Sequence, residues 1–300
     1  MNRREALAAL VAALAAGACD RGAGTSSGAQ GSVPSPAGAA RLVIAGGPIA
    51  EITFAVGAGD LVVGADTSCT FPEPAGRLPR VGYQRTLSAE GVLSLRPTLL
   101  LASHEAGPPA ALAQIEGAGV RVKRFGEVLG VEAALARIRD VGAAAGRAAE
   151  GLRLAADVER EVAQVRAEIA IAASRPRALF VYARGPGAAM VGGRGTGPAA
   201  MIELAGGVNA AAGIEGFAAI TAEAVLAAKP DVIVIPEKGL QSLGGVDGLL
   251  ALPGLGATPA AAARRVVALD DLLLLGFGPR LAGALRALAD GLRGGPAVAR

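Results

Sequence analysis

From residue 41 onward, short uninterrupted apolar runs alternate with stretches whose apolar positions recur at helical spacing. Residues 41–45 read as a strand, 49–56 as a helix and 61–65 as a second strand. Residues 99–103 and 120–125 continue the series, with an alanine-rich helix between them. The later chain repeats the plan with strands over 178–182, 232–235 and 266–269. Strands alternating with helices imply a mainly parallel sheet covered on both faces, so the fold class expected is α/β.

The repetition extends to the letters. Ser88-Ala89-Glu90-Gly91-Val92-Leu93-Ser94-Leu95-Arg96-Pro97-Thr98-Leu99-Leu100-Leu101 aligns without gaps on Thr221-Ala222-Glu223-Ala224-Val225-Leu226-Ala227-Ala228-Lys229-Pro230-Asp231-Val232-Ile233-Val234. In each copy Ser or Thr caps a short helix, a proline forbids its continuation and a buried strand follows. The duplication predicts two related lobes. Between them, residues 147–173 contain no proline and no turn cluster, and Val158, Val162, Val165 and Ile169 fall at helical spacing among charged residues. Such a helix would be a rod of about 40 Å. Its place between the two copies points to a connector; an ordinary surface helix would show the same local pattern.

The amino terminus has a different character. Arg3-Arg4 precede the apolar residues 6–16, and Ala16-Gly17-Ala18-Cys19 resembles a bacterial lipobox, in which cleavage leaves the cysteine to carry acyl chains. The organisation expected is therefore a signal peptide over 1–18, a Gly/Ser/Ala/Pro-rich tether over 19–40, a first lobe over 41–142, an interlobe helix over 143–174 and a second lobe over 175–300. The chain would be exported and held at the outer face of the cytoplasmic membrane, or in the periplasm, by lipid on Cys19. Lipidation would leave Cys69 without a disulfide partner.

Composition narrows the chemistry. Of 300 residues 52% are hydrophobic, enough for substantial cores, and the net charge is only +3. The arginines are scattered singly without interleaved aromatics, which argues against nucleic-acid binding. One histidine, His104, is too few for a zinc or manganese site built from several imidazoles. Gly24-Thr25-Ser26-Ser27-Gly28 matches a hydrolase pattern but lies in the tether without a strand or helix. Gly195-Thr196-Gly197-Pro198-Ala199-Ala200 fits a dinucleotide fingerprint, but Pro198 occupies its turn. No convergent acid, base and nucleophile appear, so no catalysis is expected.

One stretch is unusual for a chain with 3% aromatics and no tryptophan: Val81-Gly82-Tyr83-Gln84-Arg85, followed by residues 87–97. With Leu101-Ala102-Ser103, Ala106-Gly107-Pro108-Pro109, Met190-Val191-Gly192-Gly193-Arg194-Gly195-Thr196 and Leu275-Gly276-Phe277-Gly278-Pro279-Arg280, it resembles the haem-binding substrate-binding lipoproteins of bacterial haem ABC importers. The likeness covers roughly residues 41–290. Its general plan is shared with siderophore and cobalamin binding proteins, so a ferric-siderophore or cobalamin carrier is the alternative reading.

The resemblance implies two Rossmann-like lobes joined by a single long helix, with the ligand in the cleft between them. It implies haem b as a transported ligand, and an ABC permease with its ATPase subunits as partner. Tyr83 would be the axial ligand of ferric iron, a hard anionic donor once ionised. A phenol is protonated in neutral water, so ligation needs the charge of the metal and a cationic neighbour. Arg85 would hydrogen-bond the phenolate or pair with a propionate. Tyr182 ends the first strand of the second lobe, with Arg184 following it, and would face Tyr83, although a core tyrosine fits the same position. His104 would line the rim, Met190 would touch the porphyrin face and Arg194 a propionate. With aromatics scarce, the porphyrin would pack largely on aliphatic side chains and glycine backbone. Glu90 and Glu223, at matching places in the duplication, would pair with permease arginines; support of a first helical turn is the competing role.

Overall fold

The computed structural model describes residues 40–294 other than Ala173, Pro186 and Ala188. The signal peptide, Cys19, the Gly24–Gly28 match and all of the tether before Ala40 lie outside the described residues. The first sheet contains β1 (Leu42–Ala45) and β2 (Val62–Ala65). The tyrosine segment follows as a separate hairpin of β3 (Gly82–Tyr83) and β4 (Thr86–Leu87). Then β5 (Leu99–Ala102) and β6 (Arg121–Arg124) complete a parallel sheet in the order β2-β1-β5-β6. Strands β1 and β5 are apolar and buried along their whole length, as a parallel sheet covered on both faces requires. At the sheet edge, β6 exposes Arg121, Lys123 and Arg124, which protect it from pairing with another chain.

The second sheet is mixed. It consists of β7 (Arg177–Ala183), β8 (Ala189–Gly192), β9 (Val208–Asn209), β10 (Phe217–Ala219), β11 (Val232–Pro236) and β12 (Val266–Leu269). Strands β7, β11 and β12 run parallel, and β8 lies antiparallel to both β7 and β10. The periodicity locates the three parallel strands. It misses β8, β9 and β10, which are two to four residues long and built largely of Ala, Gly and Val.

The duplication persists at atomic detail. Ahead of β1, the Arg41 guanidinium donates to the carbonyls of Leu95 (2.7 Å) and Arg96 (3.0 Å), at the end of the Ala89–Ser94 helix. At the start of β7, Arg177 donates in the same way to Ala228 O, at the end of the Ala222–Ala228 helix (2.8 and 3.1 Å). Arg96 and Lys229 both take left-handed backbone angles (φ 47° and 43°) just before the prolines that end the helical path.

A 23-residue helix, Ala148–Ala170, joins the lobes over about 35 Å. Its buried stripe contains Ala155, Val158, Val162 and Val165. It packs on the preceding helix, Val131–Ala144, at a crossing where Gly142 and Gly151 meet; a Cβ on Gly142 would lie 2.8 Å from the Gly151 Cα. The Leu281–Leu292 helix of the second lobe packs on it as well, and Arg286 pairs with Glu168 at 3.2 Å. One hydrophobic core therefore runs from Leu42 and Ile44 of the first sheet, through Val158 and Val162, to Phe180 and Val232 of the second. No helix among the described residues is long and apolar enough to cross a membrane.

A polar seam also ties the lobes. Glu51, 4% exposed in the Gly47–Ala55 helix, receives a bidentate pair from Arg280 (2.9 and 3.2 Å). The Arg280 guanidinium stacks 3.8 Å from the Phe71 ring centroid. Arg137 donates to the carbonyls of Gly276 and Phe277 (2.9 Å to the latter). Burial lowers the Arg137 pKa to about 10 while the Glu51 charge acts in the opposite sense, so the guanidinium stays charged at neutral pH. A Cβ on Gly278 would sit 3.1 Å from the Glu51 carboxylate, tighter than ordinary contact, so any larger residue there would press on the pair. Replacing Arg280 with Met should leave Glu51 buried without its main partner and cost about 3 kcal/mol in denaturant unfolding. Adding Glu51→Gln to that variant should restore part of the loss, and full additivity of the two changes would contradict the pairing.

Candidate functional site

Ligands of parallel sheets bind outside the carboxyl ends of the strands. At that end of the first lobe, loops leave β1 at Gly46, β2 at Asp66 and β5 at Ser103, and the β3–β4 hairpin lies across them. Asp66 is fully buried. Its carboxylate accepts from Gly46 N–H (2.8 Å), Ser68 N–H (2.8 Å), Ser68 Oγ (2.9 Å), Cys69 Sγ (3.0 Å) and Gln84 N–H (3.1 Å). One side chain thus gathers two strand-end loops and the hairpin. Gly82, at φ 96°, permits the close approach of the hairpin strands; a Cβ there would meet Thr86 O at 2.9 Å.

The hairpin presents Tyr83 41% exposed, with Gln84 and Arg85 forming its two-residue turn. Arg85 forms an ion pair with Glu105, which follows β5. Partial burial opposes the Arg85 charge, but the Glu105 hydrogen bond and charge, with the phenols of Tyr83 and Tyr182, outweigh it and raise the pKa above its ordinary value. Tyr182, on the second lobe, is thus within electrostatic reach of Arg85 on the first.

On the second lobe, Tyr182 of β7 is directly opposite Met190 of β8, which is opposite Ala219 of β10. Residues in such a row share one face of the sheet. Phe217 lies on the same face, 47% exposed, with its ring edge-on to Phe180 at 6.4 Å. Arg184 stacks 4.6 Å from the Tyr182 ring and pairs with Asp271 at 3.0 Å. Tyr182, Met190 and Phe217 therefore make an apolar surface edged by a cation.

Two candidates stand apart from this group. Arg194 lies two residues beyond β8 and pairs with Glu215 at 3.2 Å, both side chains well exposed. His104 is exposed after β5, and its carbonyl accepts from Arg124 Nη2 (2.8 Å). Glu90 and Glu223 are exposed in the first turns of the duplicated helices, whose caps Ser88 and Thr221 accept from Gly91 N–H (3.0 Å) and Ala224 N–H (3.2 Å). Neither carboxylate forms an ion pair among the described residues. The sequence reading did not single out Asp66, Gln84, Glu105 or Phe217. Asp66 carried a usable signal, an Asp at a strand end followed by Thr67-Ser68, the pattern of a side chain that bonds its own loop.

Two α/β lobes joined by one helix, with loops at their strand ends meeting around a shared cleft, define a bilobed ligand-binding protein. The chain belongs to the periplasmic binding protein family, whose match covers residues 42–273. Among solved structures it is similar to the periplasmic haem-binding protein RhuT of Roseiflexus sp. RS-1 in its apo form, at 48% identity and a TM-score of 0.83 over 85% of this chain and 98% of that one. It is also similar to the periplasmic haem-binding protein BhuT in complex with two haems, at 48% identity and a TM-score of 0.79 over 84% of this chain and 98% of that one. An uncharacterised ABC transporter substrate-binding lipoprotein of Bacillus subtilis, YvrC, is 27% identical over 81% of this chain and 76% of its own length.

Cys69, whose thiol donates to Asp66, is fully buried. Burial, then the Asp66 charge and hydrogen bond, push its pKa well above the ordinary thiol value. An acid raised on folding stays neutral where the unfolded thiol ionises, so its contribution to stability falls as pH rises above about 8.5. Iodoacetamide at pH 8 should leave the Cys69 peptide unmodified in the native protein and alkylate it in denaturant, as read by mass spectrometry. Rapid native labelling would contradict the buried neutral thiol.

Proposed function

We propose that this chain is the extracytoplasmic haem-binding component of an ABC importer, anchored through Cys19, and that it delivers haem b to the permease and its ATPase subunits without performing catalysis. The observation that supports the reading is the hairpin, which leaves Tyr83 exposed two residues from Arg85, a guanidinium within electrostatic reach of both Tyr83 and the second lobe's Tyr182. Ferric haem entering the cleft would take Tyr83 as an axial phenolate, the iron replacing the phenol proton and Arg85 stabilising the anion. Arg85 already pairs with Glu105, so a propionate reaching it would have to compete with that carboxylate. The porphyrin face would rest on Tyr182, Met190 and Phe217, apolar surface that contributes roughly 25 cal/mol per Å² when buried. This wall is less aliphatic than composition implies, because Phe217 is among the few aromatics and is largely exposed. Arg184 would meet a propionate at the edge of that wall. Arg194 and His104 would remain at the rim.

Glu90 and Glu223 suit the docking role better than a purely local one. The Ser88 and Thr221 hydroxyls already satisfy a free N–H at each helix start, and both carboxylates point into solvent without a described cationic partner. Arginines of a permease would supply that partner.

Haemin added to the apoprotein should produce a shifted Soret band and a phenolate-to-iron charge-transfer band. Tyr83→Phe should remove the second band and weaken binding by about tenfold or more. Absence of a Soret shift, or tighter binding of cobalamin or a ferric siderophore than of haemin, would reject the haem reading. For docking, the Glu90→Arg, Glu223→Arg double variant should keep parental haemin affinity but fail to support haem-dependent growth; normal growth would reject those contacts.

A further inference from the structure

Gln84 is buried, although Tyr83 and Arg85 on either side of it are exposed. Its N–H donates to Asp66 Oδ2 (3.1 Å), and its carbonyl accepts from Gly107 N–H (2.9 Å). Its side-chain oxygen accepts from Ser103 Oγ (3.0 Å), and its side-chain nitrogen donates to Glu105 Oε2 (2.7 Å). Both backbone groups and both ends of the amide are therefore bonded to segments that follow β2 or β5. Leu87 N–H donates to Gly107 O (2.8 Å), which fixes the returning strand of the hairpin too. Glu105 bonds Gln84 through one oxygen and Arg85 through the other, so the same carboxylate sets the backbone turn and the guanidinium.

This is more restraint than an exposed two-residue turn needs in order to fold. A sharp turn closes without any side-chain clamp. The restraint has value where the turn must hold neighbouring side chains in one place. We infer that Asp66 and Gln84 are positioning residues that fix the Tyr83 phenol and the Arg85 guanidinium before ligand arrives, a role that rests on the haem reading for its purpose. Neither side chain is placed to touch a ligand, since Asp66 is buried beneath the hairpin and Gln84 is buried within its turn. Rigid strand ends supply the reference, Asp66 gathers their loops, and Gln84 transmits that order to the two residues beside it. A site held ready in this way loses little freedom on binding, whereas a mobile hairpin lowers affinity by the fraction of time it is misplaced.

The presence of only two tyrosines permits a direct test. Incorporating 3-fluorotyrosine gives two fluorine resonances in the apoprotein, assigned through Tyr83→Phe. The parental Tyr83 line should be single and narrow. Gln84→Ala, which keeps the N–H to Asp66 but removes both side-chain bonds, should broaden or split it while leaving the Tyr182 line in place. Asp66→Asn should do the same through the backbone contact. Leu249→Ala, a cavity in the separate core of the second lobe, serves as a control for general loss of stability and should leave both lines unchanged. With haemin, the two clamp variants should bind about tenfold more weakly, the worth of one hydrogen bond to a charged group, chiefly through faster release to apomyoglobin. A parental Tyr83 line in folded Gln84→Ala, or equal broadening in Leu249→Ala, would overturn the positioning role. The fluorine spectra decide this without haem, so failure of the parental protein to bind haemin would reject the proposed ligand and leave the positioning result standing.

Discussion

The ion pair between Glu51 and Arg280 is the constraint on which the cleft depends. Its residues are separated by 229 positions and belong to different lobes, yet the N–H edge of the guanidinium meets the carboxylate while one face lies on the Phe71 ring. A buried charge pair is a poor source of net stability compared with apolar packing. Its merit is directional: the two-pronged geometry tolerates little sliding or rotation. Glycine at 278 and the Arg137 bonds to neighbouring carbonyls hold the segment close enough for that geometry to exist. The Gly-Phe-Gly-Pro-Arg segment, which contributes to the family likeness, is in physical terms an interlobe seam: Phe277 is buried and Arg280 is engaged with the opposite lobe.

Rigidity at the seam and exposure at the cleft are complementary. The core continuous through both lobes and the long helix resists large hinge motion, so the side chains proposed to meet a ligand are exposed in the frame as it stands. Tyr83 and Phe217 are both exposed in a chain with six phenylalanines and two tyrosines. Exposed apolar surface marks sites of interaction, and these two side chains belong to different lobes, one to the β3–β4 hairpin and one to the edge strand β10. The charged groups nearby follow the opposite rule. Arg85, Arg184 and Arg194 each have an acidic partner, which keeps the unliganded cleft from carrying several uncompensated cations.

Legibility in the sequence followed the range of the interactions. The parallel strands and the helix caps depend on neighbours in sequence, and apolar runs and Ser or Thr before a helix disclose them. The duplication was visible because its copies kept the same cap, proline and strand. The long helix was legible in its stripe, although it occupies Ala148–Ala170 instead of 147–173, since Arg147 serves as its cap and Ile171 already leaves it. The short antiparallel strands had no alternation to display. Tyr83 and Arg85 stood out by rarity and by likeness to a family. Asp66, Gln84 and Glu105 did not, because their importance lies in partners 18 to 21 residues away that only the folded hairpin brings within reach.

The duplicated helix ends give the seam a second consequence. Glu90 and Glu223 each occupy the first turn of a helix whose far end is tied, by Arg41 or Arg177, to the strand that begins its lobe. Each carboxylate is thereby referred to the sheet beneath it, and the two sheets are referred to each other by the long helix and the Glu51–Arg280 pair. The separation of the two acids is then a property of the whole frame rather than of either surface. A partner that engages both at once reads that separation, and a change in the angle between the lobes would be felt at both contacts. The hairpin that carries Tyr83 leads directly through Leu87 into the helix that carries Glu90, so the proposed ligand-holding residue and the proposed docking residue are separated by few positions, of which Gln84, Leu87 and Ala89 are buried. The residues proposed for capture and for docking are in this way adjacent along one short stretch of chain, tied to the same strand ends.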